Sequence, residues 1–325
     1  MSQNKPIRRI AIIGTGVIGA SWTALYLAKG LKVVATDIAP NAEAALRKFV
    51  ETAWPALKRL GLSPGASQSN LTFTADLPKA LPGADLVQEN GPERIEFKQK
   101  LYGQLDQLLP PEVIIASSSS GLTMSEIQKG AASHPERCVI AHPFNPPHLM
   151  PLVEIVGGAK TSEATIRRAD EFYTSIGQRT VRVNKEMPGH VANRLQAALS
   201  REVYYLVAEG VVSAADVDTA LTWGPGLRWG VMGGLMLNHL GGGPGGIEHF
   251  FQQFTGPMTA WWKTLGSPVL TPDVQKKLID SVHAEAGSRT IQELEAERDE
   301  VLLGLIELRN KVARSSQTKV TATVA

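Results

Sequence analysis

The stretch that most limits what this chain can become is G-T-G-V-I-G at residues 14–19, which arrives directly behind a short apolar run, residues 8–13, and opens a helical one, residues 20–29. Gly14 permits a tight turn, Gly16 lets backbone approach a pyrophosphate, and Gly19 lets the helix pack closely on the strand. That helix points its partial positive charge at whatever lies over the turn. A second apolar run, residues 31–36, ends in Asp37, eighteen residues after Gly19. A carboxylate there accepts hydrogen bonds from both ribose hydroxyls and repels a 2′-phosphate. Ile38, Ala39 and Pro40 bring no cation to relieve that repulsion, so the arrangement favours NAD over NADP. G-x-G-x-x-G also occurs as a plain glycine turn, and the strand, helix and acidic second strand around this one give it weight.

The same alternation continues. Residues 41–61 carry Ala45, Phe49, Ala53 and Leu57 at helical spacing and are longer than a crossover needs, so they are expected to project from the sheet before a strand returns at 71–74. Further strands are expected at 85–89, 113–116, 138–141, 152–156 and 180–183, with helices between them. Such alternation makes the fold class α/β: a Rossmann-type, doubly wound sheet over residues 1–185. Past Lys185 the strand signals stop, and an all-α C-terminal domain is expected over 186–325. Pro188 precedes a helix at 191–209 striped by Leu195, Leu199, Val203 and Leu206. Ser213 and Asp216 form a capping-box pair, and W-G-P-G-L-R-W-G at 223–230 reads as a loop. A long apolar-striped helix at 288–312 needs a partner, for which another subunit is natural, and 315–325 is a patternless tail.

Two features carry candidate chemistry. A-H-P-F-N-P-P-H-L-M-P-L-V-E, residues 141–154, places His142 and Glu154 at the ends of a loop braced by Pro146, Pro147 and Pro151. Those prolines rule out regular helix and favour a fold-back that brings imidazole and carboxylate together, as a general base and its orienting partner would require. A histidine at a strand end serves equally well as hydrogen-bonded scaffolding. The second feature is four serines, Ser117 to Ser120, then Gly121, behind the 113–116 strand, where ligands of parallel sheets bind. In the second half, Trp223, Trp229, Trp261 and Trp262 share a short window with Phe250, Phe251 and Phe254. They fit either a core and subunit interface or an aromatic box for a quaternary ammonium group.

Composition removes several alternatives. Thirty-three basic against 31 acidic residues leave a net charge of +2, which gives no reason to expect nucleic acid as a partner. No run has the length and apolarity of a membrane span and no leader pattern is present, so a cytoplasmic protein with no membrane partner is expected. The single cysteine, Cys138, excludes an internal disulfide, and the seven histidines lack metal-ligand spacing, so no metal is expected.

Taken together, the glycine fingerprint, the serine run, H-P-F-N-P-P-H-L-M-P-L-V-E and P-G-H-V-A-N-R-L resemble the 3-hydroxyacyl-CoA dehydrogenase family over nearly the whole chain. The resemblance implies that His142 is the general base, Glu154 its orienting carboxylate, and Ser120 and Asn193 the polar groups around the substrate oxygen. It implies Gly14, Gly16, Gly19, Asp37, Glu93 and Lys98 on the NAD side, Asn145 on the substrate side, and a homodimer through the helical domain. The chain departs from acyl-CoA members at G-L-R-W-G-V-M-G-G, where Arg228 and Trp229 stand. An arginine there is similar to branches acting on free hydroxy acids, the carnitine 3-dehydrogenases and the gulonate 3-dehydrogenase/lambda-crystallin branch. Residues 53–67 and 224–229 look more like the former. Arg228 is suited to gripping a free carboxylate bidentately, and equally to a structural salt bridge. The expected activity is NAD-dependent oxidation of the 3-hydroxyl of a small hydroxy acid; a short-chain 3-hydroxyacyl-CoA substrate and a crystallin-like structural role are the alternatives.

Overall fold

A computed structural model describes residues 5–323, with side chains over residues 5–312. The chain divides into two compact units, up to Asn193 and from Arg194 onward. Strand signals end at Lys185, the expected close of the first domain. Residues beyond that point stay with the sheet because they are bonded to it: the Ser125 N–H donates to Glu186 at 2.8 Å, and the Val191 and Ala192 N–H groups donate to Glu154.

The first unit holds eight strands: β1 (Arg9–Ile13), β2 (Lys32–Thr36), β3 (Leu71–Thr74), β4 (Leu86–Glu89), β5 (Ile114–Ser117), β6 (Cys138–Pro143), β7 (Leu152–Gly157) and β8 (Arg179–Val183). Their order is β3-β2-β1-β4-β5-β6-β7-β8. β1 to β6 are parallel, β7 runs antiparallel to β6, and β8 is parallel to β7. The chain reverses its winding between β1 and β4, so the crevice for a ligand opens beyond their carboxyl ends.

The strands between the two edges, β2, β1, β4, β5, β6 and β7, are buried on both faces, as crossover helices require, while the edge strands β3 and β8 are partly exposed. In β1, Ile10 and Ile12 enter one core with Trp22, Tyr26, Leu46 and Phe172, while Ala11 and Ile13 enter another with Leu101, Tyr102, Leu105 and Ile127. The helix Ala42–Leu60 does not project as expected. It lies along the helix Val17–Ala28, and Leu46, Val50, Ala53 and Leu57 turn into the first core while Ala45 stays exposed. Of the expected stripe, Ala53 and Leu57 are buried and Phe49 packs against the core, while Leu46 and Val50 widen the apolar face and Ala45 falls outside it.

The second unit is helical: Ala192–Ala208 leads into it, followed by Ala214–Trp223, Pro225–Trp229, Gly234–Gly241, Gly246–Trp262, Pro272–Ala286 and Ile291–Thr323. Ser213 caps its helix as the sequence suggests, accepting from the Asp216 N–H at 3.1 Å. The segment at 223–230 is not all loop. Pro225 starts a short helix because its missing N–H costs nothing at a first turn, and Gly224 supplies the break before it. The final helix also continues through residues expected to be a patternless tail, as far as Thr323. Among the described residues of this unit only Val207, Ala208, Ala214, Val217 and Leu303 are buried hydrophobics. No helix among the described residues is long and apolar enough to cross a membrane.

Candidate active site

His142 and Glu154 are brought together by strand pairing rather than by the loop alone. They face each other in the antiparallel register of β6 and β7, with His142 Nδ1 2.8 Å from Glu154 Oε2. The proline-rich loop joins the two strands and is pinned to the helix Val17–Ala28. The His148 N–H donates to Ser21 Oγ at 2.9 Å, and the same hydroxyl lies 2.7 Å from His148 Nδ1. His142 is 5% and Glu154 1% exposed, so their interaction is little screened by water.

Glu154 Oε1 accepts the N–H groups of Val191 at 2.8 Å and Ala192 at 2.9 Å, at the start of the helix Ala192–Ala208. Gly189 and His190 both have positive φ, which aims two successive N–H groups at one oxygen. Burial alone would raise the Glu154 carboxyl, but the bonds from His142, Ala192 and Val191 outweigh it and hold the carboxyl below its ordinary range. An ionised carboxylate only accepts, so His142 carries its proton on Nδ1 when neutral. Nε2 is then left with a lone pair, the form a base needs.

The glycine turn has the geometry that its three positions suggested. Gly14 has φ +82°, and a Cβ there would meet the Asn90 carbonyl oxygen at 2.8 Å. A Cβ on Gly19 would lie 1.9 Å from the Gly14 carbonyl oxygen, whereas one on Gly16 would meet nothing within 4 Å. The turn is thus closed on its protein side at Gly14 and Gly19 and open at Gly16, as a pyrophosphate cradle requires. Asp37, at the end of β2, accepts Thr15 N–H and Oγ through Oδ2 at 2.7 and 2.9 Å, and Ala39 N–H through Oδ1 at 2.9 Å. Burial would raise this carboxyl too, but the Thr15 and Ala39 bonds outweigh it and keep it low and anionic. These groups fit a dinucleotide. Gly19→Ala is expected to abolish NAD-dependent turnover and quench the NADH fluorescence-binding signal, because backbone must move to admit one methyl group.

Glu93 and Lys98 build the serine segment. Glu93 Oε1 accepts Ser119 Oγ at 2.6 Å and the N–H groups of Ser120, Gly121 and Leu122 at 3.0, 2.8 and 3.2 Å. Burial would raise the Glu93 carboxyl, but these bonds and the Lys98 charge hold it down. Lys98 is buried on Glu89, 2.8 Å from Oε1, with Glu93 Oε2 3.6 Å away. Glu89 Oε2 also accepts Ser117 Oγ at 2.6 Å. One carboxylate thus shapes the loop bearing Ser120, and a lysine holds two carboxylates beside it.

Several participants escaped the sequence reading. Asn90 receives Ser118 Oγ at 2.7 Å and donates to the Ile13 carbonyl at 3.3 Å, tying the serine segment to the glycine turn. Gln88 donates to Ser118 Oγ at 2.9 Å and accepts the hydroxyls of Tyr26 and Tyr173. Two polar residues, Gln88 and Glu89, closing an otherwise apolar strand were the available signal. His190, inside P-G-H-V-A-N-R-L, is 2% exposed, with its ring centroid 5.3 Å from that of His142. Phe144 packs edge-on to His142 at 5.8 Å. Asn145 is exposed, while Ser120 and Asn193 are half-buried.

Residues 9–187 match the 3-hydroxyacyl-CoA dehydrogenase NAD binding domain and residues 189–283 match the C-terminal domain of the same enzymes. The chain belongs to the 3-hydroxyacyl-CoA dehydrogenase family. It is an NAD-dependent oxidoreductase acting on CH–OH. Among curated relatives, an L-carnitine dehydrogenase of a Pseudomonas species is 45% identical over 93% of this chain and 94% of its own length. The L-carnitine dehydrogenase of Streptomyces coelicolor is 43% identical over 97% and 98%. Among solved structures, an NAD-dependent 5-formyl-3-hydroxy-2-methylpyridine 4-carboxylic acid 5-dehydrogenase superposes with a TM-score of 0.80 at 34% identity, covering 94% of this chain and 99% of that one. The 3-hydroxybutyryl-CoA dehydrogenase of Escherichia coli gives 0.61 at 29% identity, over 73% and 50%.

In the second unit, Arg228 is exposed in the last turn of the short helix Pro225–Trp229. Trp223 and Trp229 are 78% and 47% exposed at the ends of adjacent helices, and Phe254 stacks on Phe250 at 4.9 Å.

Proposed function

We propose that this protein oxidises the 3-hydroxyl of L-carnitine to the 3-oxo compound with NAD. The observation that carries the chemistry is the buried His142–Glu154 pair, and full-length likeness to L-carnitine dehydrogenases supports the substrate. His142 Nε2 takes the hydroxyl proton, and Glu154 stabilises the imidazolium through the Nδ1–H bond. When bound, NAD supplies the hydride acceptor. Ser120 and Asn193 hold the substrate oxygen, and Asn145 serves on the substrate side. Gly14, Gly16, Gly19 and Asp37 hold the dinucleotide, and Glu93 and Lys98 shape the segment against which it sits.

A free hydroxy acid has no CoA to anchor it, so its carboxylate needs a cation, and Arg228 is exposed. Trp229 offers an aromatic face to the trimethylammonium group. The helical unit exposes Leu235, Trp261, Trp262 and Leu305 and buries few apolar residues, which supports a homodimer through this unit. NADH formation at 340 nm, with L-carnitine, L-gulonate, 3-hydroxybutyrate and 3-hydroxybutyryl-CoA compared side by side, tests the reading. L-Carnitine is expected to give the highest kcat/KM, and a preference for the CoA ester would overturn the free-acid assignment.

A further inference from the structure

His190 is buried beside the catalytic pair in an uncommon backbone conformation. Its backbone sits at φ +49°, a region that side chains other than glycine rarely adopt and that histidine and asparagine tolerate better than most. Its Nε2 lies 3.1 Å from the Ser119 carbonyl oxygen. A carbonyl only accepts, so Nε2 carries the proton and Nδ1 of the neutral ring bears a lone pair. That Nδ1 is buried and has no hydrogen-bond partner. On one side the ring rests against His142, with centroids 5.3 Å apart and planes tilted by 52°. The next two residues in the chain are the N–H donors that hold Glu154.

We propose that His190 is a positioning residue for the proton transfer. Held to the serine segment by its Nε2–H and seated against the His142 ring, it sets where the base stands relative to Ser120. A continuous path runs from the Ser119 carbonyl through His190 to His142 and Glu154, and returns through Val191 and Ala192 to the backbone that carries His190. The ring performs this role neutral: burial pushes its imidazole down, and although the Ser119 carbonyl, Glu154 and Glu93 pull the other way, burial together with the adjacent His142 keeps it below the ordinary imidazole range. Neutrality matters for the reaction, since a charge at His190 would resist the imidazolium that forms next to it.

The proposal rests on His142 being the base. Three variants separate positioning from packing. His190→Phe keeps the ring and loses the tether; His190→Gln keeps an N–H at the Nε2 position and loses the ring; His190→Asn tolerates the backbone angle and is too short to reach the Ser119 carbonyl. His190→Phe and His190→Asn are expected to lose roughly 10- to 100-fold in kcat, as misplacement of a reacting group does, with KM for NAD moving by no more than about twofold. The primary isotope effect with C3-deuterated substrate should rise in both, because the chemical step becomes limiting. His190→Gln should recover most of the loss. Parental kcat in His190→Asn, or equal losses in all three variants with an unchanged isotope effect, would overturn the proposal. Because all three are compared on whichever hydroxy acid the parental enzyme uses best, a different substrate leaves this test intact, and an active His142 variant sinks the base assignment independently.

Discussion

His142→Gln is expected to lower kcat by roughly 10²- to 10⁴-fold, the usual contribution of a positioned proton acceptor, while NADH binding followed by fluorescence stays at its parental strength. The separation follows from the fold. The imidazole sits at the end of β6, whereas the glycine turn and Asp37 lie at the ends of β1 and β2 and share no hydrogen bond with it. Glu154→Gln should fall in the same direction for a different reason. The amide can still accept from Nδ1–H but no longer offsets the charge on the imidazolium, and its NH₂ cannot serve the two N–H groups that Oε1 now receives. Stopped-flow and steady-state NADH formation check both variants, and parental turnover in either one would remove the proton acceptor from the mechanism.

Arg228→Leu should raise KM for L-carnitine by about 10²-fold or more, on the basis of two charge-assisted hydrogen bonds worth roughly 1.5–3 kcal/mol each, with KM for NAD unmoved. Arg228→Lys should recover little, because a point charge does not reproduce a planar fork. The check is a KM series in which the carboxylate is replaced by its amide: the parental enzyme should discriminate strongly between the two and Arg228→Leu hardly at all. If Arg228→Leu keeps the parental preference for the acid, the carboxylate is held elsewhere.

The framework was legible because it rests on short-range rules. Apolar runs bounded by glycine and asparagine give the strands, and the fingerprint glycines sit where a Cβ at Gly19 would strike a carbonyl 1.9 Å away. The His142–Glu154 pairing was legible through its twelve-residue spacing and family pattern, but not its cause, because antiparallel register is a property of two strands together. What stayed hidden depends on long-range hydrogen bonds. Asn90 meets Ser118 across 28 positions and His190 meets Ser119 across 71, and neither separation leaves a periodic trace. The share of Leu46 and Val50 in the apolar face of Ala42–Leu60 was missed because Ala45, Leu46, Phe49 and Val50 offer two overlapping apolar stripes, and packing on Val17–Ala28 draws on both while leaving Ala45 out.

The clasp on Glu154 Oε1 ties this protein's chemistry to its construction. One oxygen of that carboxylate steadies the imidazole while the other serves as the anion over the first N–H groups of Ala192–Ala208, the helix that leads out of the sheet-bearing half. Evolution therefore has little freedom at position 154. A neutral side chain would at once weaken the base and unfasten the origin of a helix, so drift toward an inactive scaffold would have to rebuild that junction before the negative charge became dispensable.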